Sequence, residues 1–464
     1  MLSDKIKKTE TWFFLFLFLT FIFIPLLLLT ISGAETYADA VRWKLFFFLL
    51  IFFILASAFC LLFLILRKTR PEFYQAFVNI FQKILLLAIS ALAALLILEV
   101  IVRILIPDPE PPLDLRGLHR KSPLPGVLYE LQPGATKTVT RGNSGTIEYS
   151  VNELGFRAGE FSLRKPEDTF RILTIGDSVS FGIDLKTQER YTEKLEDKLH
   201  TRFSGNDFPR FQVINMSVGG WNTYNELSWL RRRGMELEPD LILWQFHMND
   251  VDDPIGHLGT NTFCLLDDIP LDYFPDPEDP DITNNIFTKT PEQISFFEVL
   301  SWYGNKYSRV FRALYGIVLR IFPPPPDPHA GKPELSWCLE YLADKDSIQW
   351  KWLRKNFRKI KTLKEDNDVP VVFLLAPLAY QLNSDNPVYS QSIENVEEHL
   401  SKIGFPVVNI KPALERESGD ENFRFYLPGD ASHFNAGGHT LIAEEMLNKT
   451  EPLIRKQIRK STAP

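Results

Sequence analysis

The segment RILTIGDSVSFG, residues 171–182, joins a short apolar run to a turn that leaves a serine at the end of a strand. The apolar run predicts a buried strand, and Gly176 ends it because glycine adopts backbone conformations that other residues avoid. Ligands of open α/β sheets bind at the carboxyl ends of the parallel strands. Ser178 is therefore a candidate nucleophile, although Gly-Asp-Ser is also an ordinary turn and needs a base from elsewhere in the chain.

From residue 171 onwards, strand and helix patterns alternate, which is typical of a parallel sheet with crossover helices. The first predicted strand ends at Gly176, and the others cover 212–218, 241–246, 369–376 and 407–410. The predicted helices cover 192–203, 224–235, 348–364 and 393–403, and a last helix begins after Gly437-Gly438 and continues through Met446. We therefore predict an α/β fold with a five-stranded parallel sheet.

The first hundred of the 464 residues contain three apolar runs, at 12–32, 44–66 and 84–106. Each run is about 20 residues long, which is enough to cross the hydrocarbon core of a bilayer. Basic residues precede the first run and follow the second, which predicts a cytoplasmic amino terminus and places the chain after Ile106 on the outer side. A cleaved signal peptide is the alternative for the first run, but two further apolar runs follow it at once.

Composition divides the chain into a membrane anchor at 1–106, a β-rich linker segment at 107–165 and an α/β domain at 166–464, with an insertion at about 251–346. Strand-like patches at 126–131 and 146–151 indicate that the linker segment is rich in β-structure. A scaffold that packs on the main domain is a simpler interpretation of this segment than an independent binding module. Within the insertion, the amphipathic stretch 310–322 is consistent with a lid, a membrane-surface helix or a core helix, and the core helix is the simplest interpretation.

Neither the cysteines nor the histidines have the spacing of a metal site, and we predict no metal and no cofactor. Cys264 and Cys338 both follow the membrane segments, where an oxidising compartment would let them pair. Sequence alone does not show whether their Cα atoms come close enough for a disulfide. The net charge of −7 argues against a nucleic-acid partner, as does the lack of a stacking platform beside the basic residues of 348–364.

A serine nucleophile needs a base, an acid that orients the base, and donors for the oxyanion. The loop before the last predicted helix carries Asp430 and His433, whose spacing lets the carboxylate reach Nδ1 while Nε2 faces outward. The turn after the second strand supplies the backbone N–H of Gly220, and the third strand is followed by Asn249, whose amide is a donor. All of these groups lie at the same edge of the predicted sheet as Ser178.

Four short motifs occur in the same order along the chain as the blocks I, II, III and V of the SGNH (GDSL) hydrolases. They are Gly176-Asp177-Ser178, Gly220 within VINMSVGGWNT, Asn249-Asp250 and Asp430-x-x-His433. The stretch from about 170 to 446 resembles this family as a set, although each motif alone is a weak signal. The resemblance implies a flavodoxin-like three-layer α/β/α domain.

The resemblance also implies a role for each matching residue. Ser178 is the nucleophile, His433 is the general base and Asp430 is its orienting acid. The implied oxyanion donors are the Ser178 and Gly220 N–H groups and the Asn249 side chain. One position departs from the pattern, since His247 stands where the family usually has glycine; this affects the inference about substrate and leaves the catalytic set intact.

Other ionisable residues have simpler interpretations. His439 lies inside the last predicted helix, where a surface or packing role suffices. His247 and His257 are interpreted as pocket or loop residues, because no third metal ligand has a suitable spacing. Asp177 and Asp250 are expected to bond the loop backbone beside the nucleophile and the oxyanion donor.

The resulting hypothesis is a membrane-anchored serine esterase that hydrolyses an acyl ester, in the simplest case an acetyl ester, of an envelope glycan or a lipid. An O-acyltransferase that modifies an exported polysaccharide, supplied by an acyl-donor membrane partner, is the alternative, because the family contains both activities. A non-catalytic, membrane-tethered binding protein is the second alternative. The resemblance implies a bacterial cytoplasmic membrane, with the catalytic domain periplasmic or extracellular.

Overall fold

The computed structural model describes residues 69–105, 115, 117–127, 129–141, 145–205, 210–251, 308–321, 332–333 and 335–461. The chain divides into two compact units. Among the described residues, the first comprises 69–105 and 308–321, and the second comprises those between 115 and 251 and between 332 and 461. The predicted apolar helices at 12–32 and 44–66 lie outside the described residues. Cys264 does too, so its disulfide with Cys338 stays a prediction.

The linker segment forms two small antiparallel sheets in the second unit. β1 (His119–Lys121) pairs with β2 (Tyr129–Leu131), and β3 (Thr136–Arg141) pairs with β4 (Gly145–Ser150). The two strand-like patches of the sequence correspond to β2 and β4. β1 and β3 were not predicted, because HRK and TKTVTR lack the apolar alternation of a half-buried strand.

The second unit is built on a five-stranded parallel sheet, which confirms the predicted sheet. Its strands are β5 (Thr169–Ile175), β6 (Arg210–Asn215), β7 (Leu241–His247), β8 (Val371–Ala376) and β9 (Val407–Asn409). They lie in the order β6-β5-β7-β8-β9, which is the order of flavodoxin-like doubly wound sheets. In such sheets a ligand binds where the chain switches direction, at the carboxyl ends of β5 and β7.

Helices of the second unit cover both faces of this sheet, whereas the helices Pro71–Leu105 and Arg309–Ile321 belong to the first unit. The described helices are α1 (Pro71–Leu105), α2 (Ser178–Phe181), α3 (Tyr191–Arg202), α4 (Thr223–Arg232), α5 (Arg309–Ile321), α6 (Ser336–Ala343), α7 (Ile348–Asn367), α8 (Pro387–Lys402), α9 (Lys411–Ser418) and α10 (Ala436–Ser461). On one face, Ile172 of β5 packs in a core with Leu195 of α3 and Ile442 of α10. On the other face, Phe373 of β8 packs against Phe357 of α7. The unit is therefore a three-layer α/β/α structure.

The last helix begins earlier than predicted, at Ala436 instead of after Gly437-Gly438. The side chain of Asn435 accepts hydrogen bonds from the N–H groups of both glycines, at 2.9 and 3.0 Å, and so caps the helix. A Cβ at Gly438 would lie 2.5 Å from the carbonyl oxygen of Phe425. Glycine at position 438 therefore lets the backbone of Phe425 lie close to the first turn of the helix.

Regular structure also resumes within the range predicted as an insertion. Helix α6 has fully buried side chains, including Cys338, Leu339 and Leu342. The Leu342 carbonyl accepts a hydrogen bond from Nδ2 of Asn395 in α8, at 2.9 Å. Helix α6 is thus part of the packed α/β unit, and the sequence did not show this because its eight residues, SWCLEYLA, follow an irregular Pro-rich stretch.

In the first unit, α1 includes the third apolar run of the sequence. The part Gln82–Leu105 is long and apolar enough to cross a membrane, judged by length and composition, and it is the one such helix among the described residues. The amphipathic stretch forms α5, but not as the core helix that we predicted. Its side chains Leu314 and Ile321 are 51% and 64% exposed.

Candidate active site

Ser178 begins the short helix α2 directly after β5, at the carboxyl edge of the sheet. A side chain at Gly176 would not fit, because its Cβ would lie 2.3 Å from Oε1 of Gln245. That oxygen, on the neighbouring strand β7, accepts hydrogen bonds from the N–H groups of Asp177 and Ser180, both at 3.2 Å. Glycine at this position therefore lets β7 hold the turn that carries the serine.

The carboxylate of Asp177 holds the same turn from the other side. Its Oδ1 accepts the N–H of Val179 at 2.9 Å, which caps α2, and its Oδ2 lies 3.5 Å from the hydroxyl of Ser178. The helix ends after one turn at Gly182, whose φ of 75° lies in the left-handed region. Asp177 thus bonds the loop backbone, as predicted.

Ser178, His433 and Asp430 form one chain of hydrogen bonds. Nε2 of His433 lies 2.8 Å from Oγ of Ser178, and Nδ1 lies 2.6 Å from Oδ2 of Asp430. Because an ionised carboxylate only accepts, Nδ1 carries the hydrogen and Nε2 is left to accept the serine proton. Ser178 and His433 are 255 positions apart in the chain, and the fold brings them together at one sheet edge.

Hydrogen bonds to backbone groups hold the loop that carries His433 in place. Oδ1 of Asp430 accepts the N–H of His433 at 3.0 Å. The N–H of Ala379, after β8, donates to the carbonyl of Ala431 at 2.7 Å, and the N–H of Leu427 donates to the carbonyl of His433 at 2.8 Å. The side chain of His433 remains 23% exposed, so the imidazole is held in place and is still accessible to a ligand.

The charges around His433 favour its protonated form. Burial disfavours the imidazolium, but the hydrogen bond and charge of Asp430, with the charges of Asp177 and Asp184, outweigh burial and raise the pKa of His433. Burial also disfavours the ionised form of Asp430, yet its hydrogen bonds, first that from the His433 ring, lower the pKa of Asp430 to about 2. Asp430 is therefore ionised at neutral pH and stabilises the imidazolium that forms when His433 takes a proton.

The backbone N–H groups of Ser178 and Gly220 are predicted oxyanion donors. Neither group has a hydrogen-bond acceptor within the part of the chain that the structure describes. Gly220 has a φ of 82°, which glycine adopts without a steric cost. At Gly219, a Cβ would lie 3.8 Å from Cβ of Ser178, so this turn passes directly beside Ser178.

A tyrosine of the linker segment holds the same turn, and the sequence did not single it out. The hydroxyl of Tyr129 donates to the carbonyl of Gly219 at 2.8 Å. In return, Nε1 of Trp221 donates to the carbonyl of Tyr129 at 2.9 Å. The only sequence signal was the strand-like patch at 126–131, which indicates a strand and says nothing about what its side chains contact.

Asn249 follows β7 and is oriented by His247, the residue that departs from the family pattern. Nδ1 of His247 lies 2.8 Å from Oδ1 of Asn249 and 3.6 Å from Oδ2 of Asp177. Both oxygens are acceptors, so Nδ1 carries the hydrogen and the NH₂ group of Asn249 is left to donate. Burial lowers the pKa of His247, which keeps the ring neutral. His247 therefore fixes the amide orientation that an oxyanion donor needs.

Two buried carboxyl groups lie near Asp177. Oε2 of Glu226 accepts the indole N–H of Trp244 at 2.6 Å, and Oδ2 of Asp250 accepts the backbone N–H of His247 at 3.2 Å. Burial raises the pKa of both groups well above the ordinary value, and neighbouring carboxylates, Asp177 among them, add to the effect. Asp250 was predicted to bond the loop. Glu226 was not singled out, because an acidic residue in a helix usually faces solvent.

A buried arginine of the linker segment holds the loop that follows Ser178 and helix α2. The guanidinium of Arg157 donates to the carbonyl oxygens of Phe181, Gly182 and Leu185, each at 2.6 Å. It also stacks on the ring of Tyr149, 4.4 Å from the centroid. Burial lowers the pKa of Arg157 to about 9, so it stays charged at neutral pH. A planar group with five donors suits this cluster of carbonyls, but no local sequence signal marks it.

His439 does not join the site as a base. His439 is fully buried, and its Nδ1 accepts the N–H of Tyr191 at 3.0 Å. Burial, with the charges of Arg190 and Lys194, lowers the pKa of His439 to about 3, which is consistent with packing. His257 lies outside the described residues. Among the residues that are described, no cluster of three or more His, Cys, Asp or Glu side chains is arranged to hold a metal ion.

Comparison with known proteins gives matches in structure alone. No protein-family model and no curated protein matches the chain. An α/β hydrolase enzyme from the metagenome of Lake Arreo, Spain, is 14% identical with a TM-score of 0.35, over 61% of this chain and 96% of that one. A lipase/acylhydrolase from Enterococcus faecalis is 11% identical with a TM-score of 0.33, over 61% and 96%. A catalytic mutant of an acetylxylan esterase from Geobacillus stearothermophilus is 12% identical with a TM-score of 0.35, over 60% and 93%. Identities and TM-scores this low carry no inference about the function of this chain.

Proposed function

We propose that this chain is a serine hydrolase that cleaves ester bonds through an acyl-enzyme. The observation that carries the proposal is the hydrogen-bond chain from Ser178 through His433 to Asp430, with distances of 2.8 and 2.6 Å. A serine that only forms a turn has no need of an imidazole base whose other nitrogen is held by an ionised carboxylate. The resemblance of the four sequence motifs to the SGNH hydrolases supports the same function.

In the first half of the reaction, Oγ of Ser178 attacks the carbonyl carbon of the ester while Nε2 of His433 takes the hydroxyl proton. The carbonyl oxygen becomes an oxyanion, and the N–H groups of Ser178 and Gly220 and the NH₂ group of Asn249 are its donors. His433 then gives the proton to the leaving alcohol as the C–O bond breaks. The acyl group remains bonded to Ser178.

In the second half, water replaces the alcohol. Nε2 of His433 takes a proton from water, whose oxygen attacks the acyl carbon, and the proton passes to Oγ of Ser178 as the acyl–oxygen bond breaks. The products are a carboxylic acid and the free serine. Asp430 stays ionised throughout and keeps the imidazole in one tautomer. If a sugar hydroxyl takes the place of water, the same acyl-enzyme makes the protein an O-acyltransferase.

We further propose an acyl ester of an envelope glycan or a lipid as substrate, in the simplest case an acetyl ester, and a membrane-anchored location. The support for the location is the apolar stretch Gln82–Leu105 of α1. The distribution of basic residues around the apolar runs supports a cytoplasmic amino terminus and a catalytic unit on the outer side of a bacterial membrane. An acyl-donor membrane partner belongs to the transferase alternative.

The test uses the full chain in detergent micelles. A fluorophosphonate, which phosphonylates an activated serine, serves as the label, and p-nitrophenyl esters of increasing acyl length serve as substrates. Wild type is expected to be labelled once, at Ser178, and to release p-nitrophenol fastest from the acetyl ester. Ser178→Ala should lose the label and lower kcat roughly 10³-fold or more. Ser180→Ala is the matched control, because its hydroxyl lies 2.6 Å from the hydroxyl of Tyr191 instead of the imidazole. This control should keep both label and turnover.

The other outcomes decide between the alternatives. Labelling at Ser178 without hydrolysis, followed by turnover when a polysaccharide acceptor is added, would favour the transferase. A folded wild-type chain that is neither labelled nor active would contradict the proposal and favour a non-catalytic binding protein.

A further inference from the structure

Helix α5 in the first unit has one apolar face and one basic face. Four of its apolar side chains are about half exposed or more: Leu314 at 51%, Ile317 at 50%, Val318 at 49% and Ile321 at 64%. They recur at the three- and four-residue spacing that places side chains on one face of a helix. The arginines of the helix, at 309, 312 and 320, fall on the opposite face, and the stretch RVFRALYGIVLRI contains no acidic residue.

The amino terminus of α5 is bonded to the apolar helix α1. The carboxylate of Glu99 accepts the N–H groups of Arg309 and Val310, both at 3.0 Å, and the hydroxyl of Ser308 at 2.8 Å. The hydroxyl of Ser308 in turn accepts the N–H of Phe311 at 3.0 Å. The first N–H groups of a helix lack partners within it, so Glu99 and Ser308 together cap α5.

The charge of Glu99, in the apolar part of α1, is paired with an arginine of the same helix. The carboxylate accepts the Nε–H of Arg103 one turn further on, at 2.8 Å, and Nη1 of Arg309 donates to the carbonyl of Arg103 at 3.0 Å. Charged residues in membrane segments are costly unless they are paired in this way. The pairing fixes the start of α5 to a defined height on α1.

In a bilayer whose surface lies near the end of α1, that height is at the boundary between lipid and water. At 1.5 Å per residue, Glu99 lies about 9 Å before the end of α1 at Leu105. Amphipathic helices that lie in a membrane surface sit about 5–10 Å deep, with the apolar face towards the acyl chains and the basic face towards the headgroups. Side chains of α1 on either side of Glu99, such as Leu96 and Ile104, are also apolar and exposed.

We propose that α5 lies in the lipid–water interface of the membrane that α1 crosses, and that Glu99 holds it there. The occupant of the exposed face of α5 is the bilayer itself. The half-exposed apolar side chains, the opposed arginines and the bond to α1 all agree with this arrangement. The inference rests on the proposed membrane location and not on ester hydrolysis.

The test places the full chain in nanodiscs of phosphatidylcholine and phosphatidylglycerol. A fluorescent amino acid is incorporated at one position at a time: on the apolar face at 314 or 321, on the basic face at 312 or 320, and in the apolar part of α1 at 92. Nitroxide-labelled lipids quench probes in the bilayer, and iodide quenches probes in water. Probes at 314 and 321 should be quenched several-fold more by lipid, and probes at 312 and 320 several-fold more by iodide.

Two further results separate the possible failures. If the probe at 92 is in lipid while those at 314 and 321 are in water, the proposal is wrong and the membrane location stands. If the probe at 92 is also in water, both are wrong. Glu99→Ala should lower the lipid quenching at 314 several-fold without changing the probe at 92, whereas Glu72→Ala, in the first turn of α1, should change neither. Unchanged quenching in Glu99→Ala would refute the role of Glu99.

Discussion

Replacing Asp430 by asparagine should change both the maximum of kcat/KM for ester hydrolysis and its dependence on pH. The carboxylate lies 2.6 Å from Nδ1 of His433, and its interactions lower its pKa from 3.8 to about 2. At 1.36 kcal/mol per pKa unit, this corresponds to about 2 kcal/mol in favour of the ionised carboxylate, net of the opposing effect of burial. The same attraction favours the imidazolium, and it is the reason why the pKa of His433 is raised despite burial.

The pKa of His433 depends on two opposing effects, since burial lowers it and the charge of Asp430 raises it. The reaction needs neutral His433, so kcat/KM rises with pH through the pKa of this residue. In the wild type the midpoint should lie above the ordinary value of about 6.5. Without the carboxylate, burial dominates, and the midpoint of Asp430→Asn should fall below about 6.5. The plateau should fall roughly 10⁴-fold, because an amide no longer enforces one tautomer.

The assay is the pH profile of kcat/KM for p-nitrophenyl acetate, measured with the full chain. Asp184→Asn is the matched control, because Asp184 acts on His433 through its charge alone. An amide keeps an acceptor for the hydroxyl of Tyr149, which lies 3.3 Å from Oδ1 of Asp184. The control should lower the midpoint slightly and leave the plateau almost unchanged. An Asp430→Asn variant with the midpoint and plateau of the wild type would refute this account of the site.

Three more variants test how the site is held. Gly176→Ala should destabilise the fold by about 1–3 kcal/mol in urea denaturation, since its Cβ would meet Oε1 of Gln245 at 2.3 Å; an unchanged midpoint would show that the turn can move. Arg157→Met should cost about 3 kcal/mol in the same experiment, because it leaves three carbonyl oxygens without a charged donor; a loss no larger than that of Arg157→Lys would contradict this. His247→Ala should lower kcat roughly tenfold with little change in KM, because the Asn249 amide stays present but is no longer oriented. The loss of an oxyanion donor itself should lower kcat roughly 10²–10³-fold. Kinetics equal to those of the wild type would refute the role of His247.

The sheet was predictable because its strands are buried on both faces. Such strands appear in the sequence as nearly continuous apolar runs, as in Leu241–His247 and Val371–Ala376, and turn residues follow them. The ends of the helices were less predictable. A helix cap such as Asn435 depends on side-chain hydrogen bonds, which the hydrophobic periodicity does not show. The candidate site was predictable for a related reason, since Ser178 and Asn249 directly follow strands whose carboxyl ends share one edge.

The surroundings of the site were not predictable from local sequence. Tyr129 and Arg157 reach the site from the linker segment, and their partners lie in other elements. Glu226 is buried with the indole of Trp244, although its sequence neighbourhood resembles an exposed helix. Helix α5 has a clear amphipathic pattern, but periodicity cannot distinguish a face that meets a protein core from one that meets another environment. These contacts join distant parts of the chain, and a single sequence contains no signal for them.

The bonds of Tyr129 and Arg157 set the limits of any shorter protein that is to keep the site. A fragment for crystallisation that starts at 166, where the α/β pattern begins, would lack both side chains. The Gly219 carbonyl would then lose the hydrogen bond from Tyr129, and the carbonyls of Phe181, Gly182 and Leu185 would lose those from Arg157. A fragment that starts near 115 retains both. For the same reason, the linker segment and the α/β domain have to be inherited together, because a recombination between them would separate the serine turn from the residues that hold it.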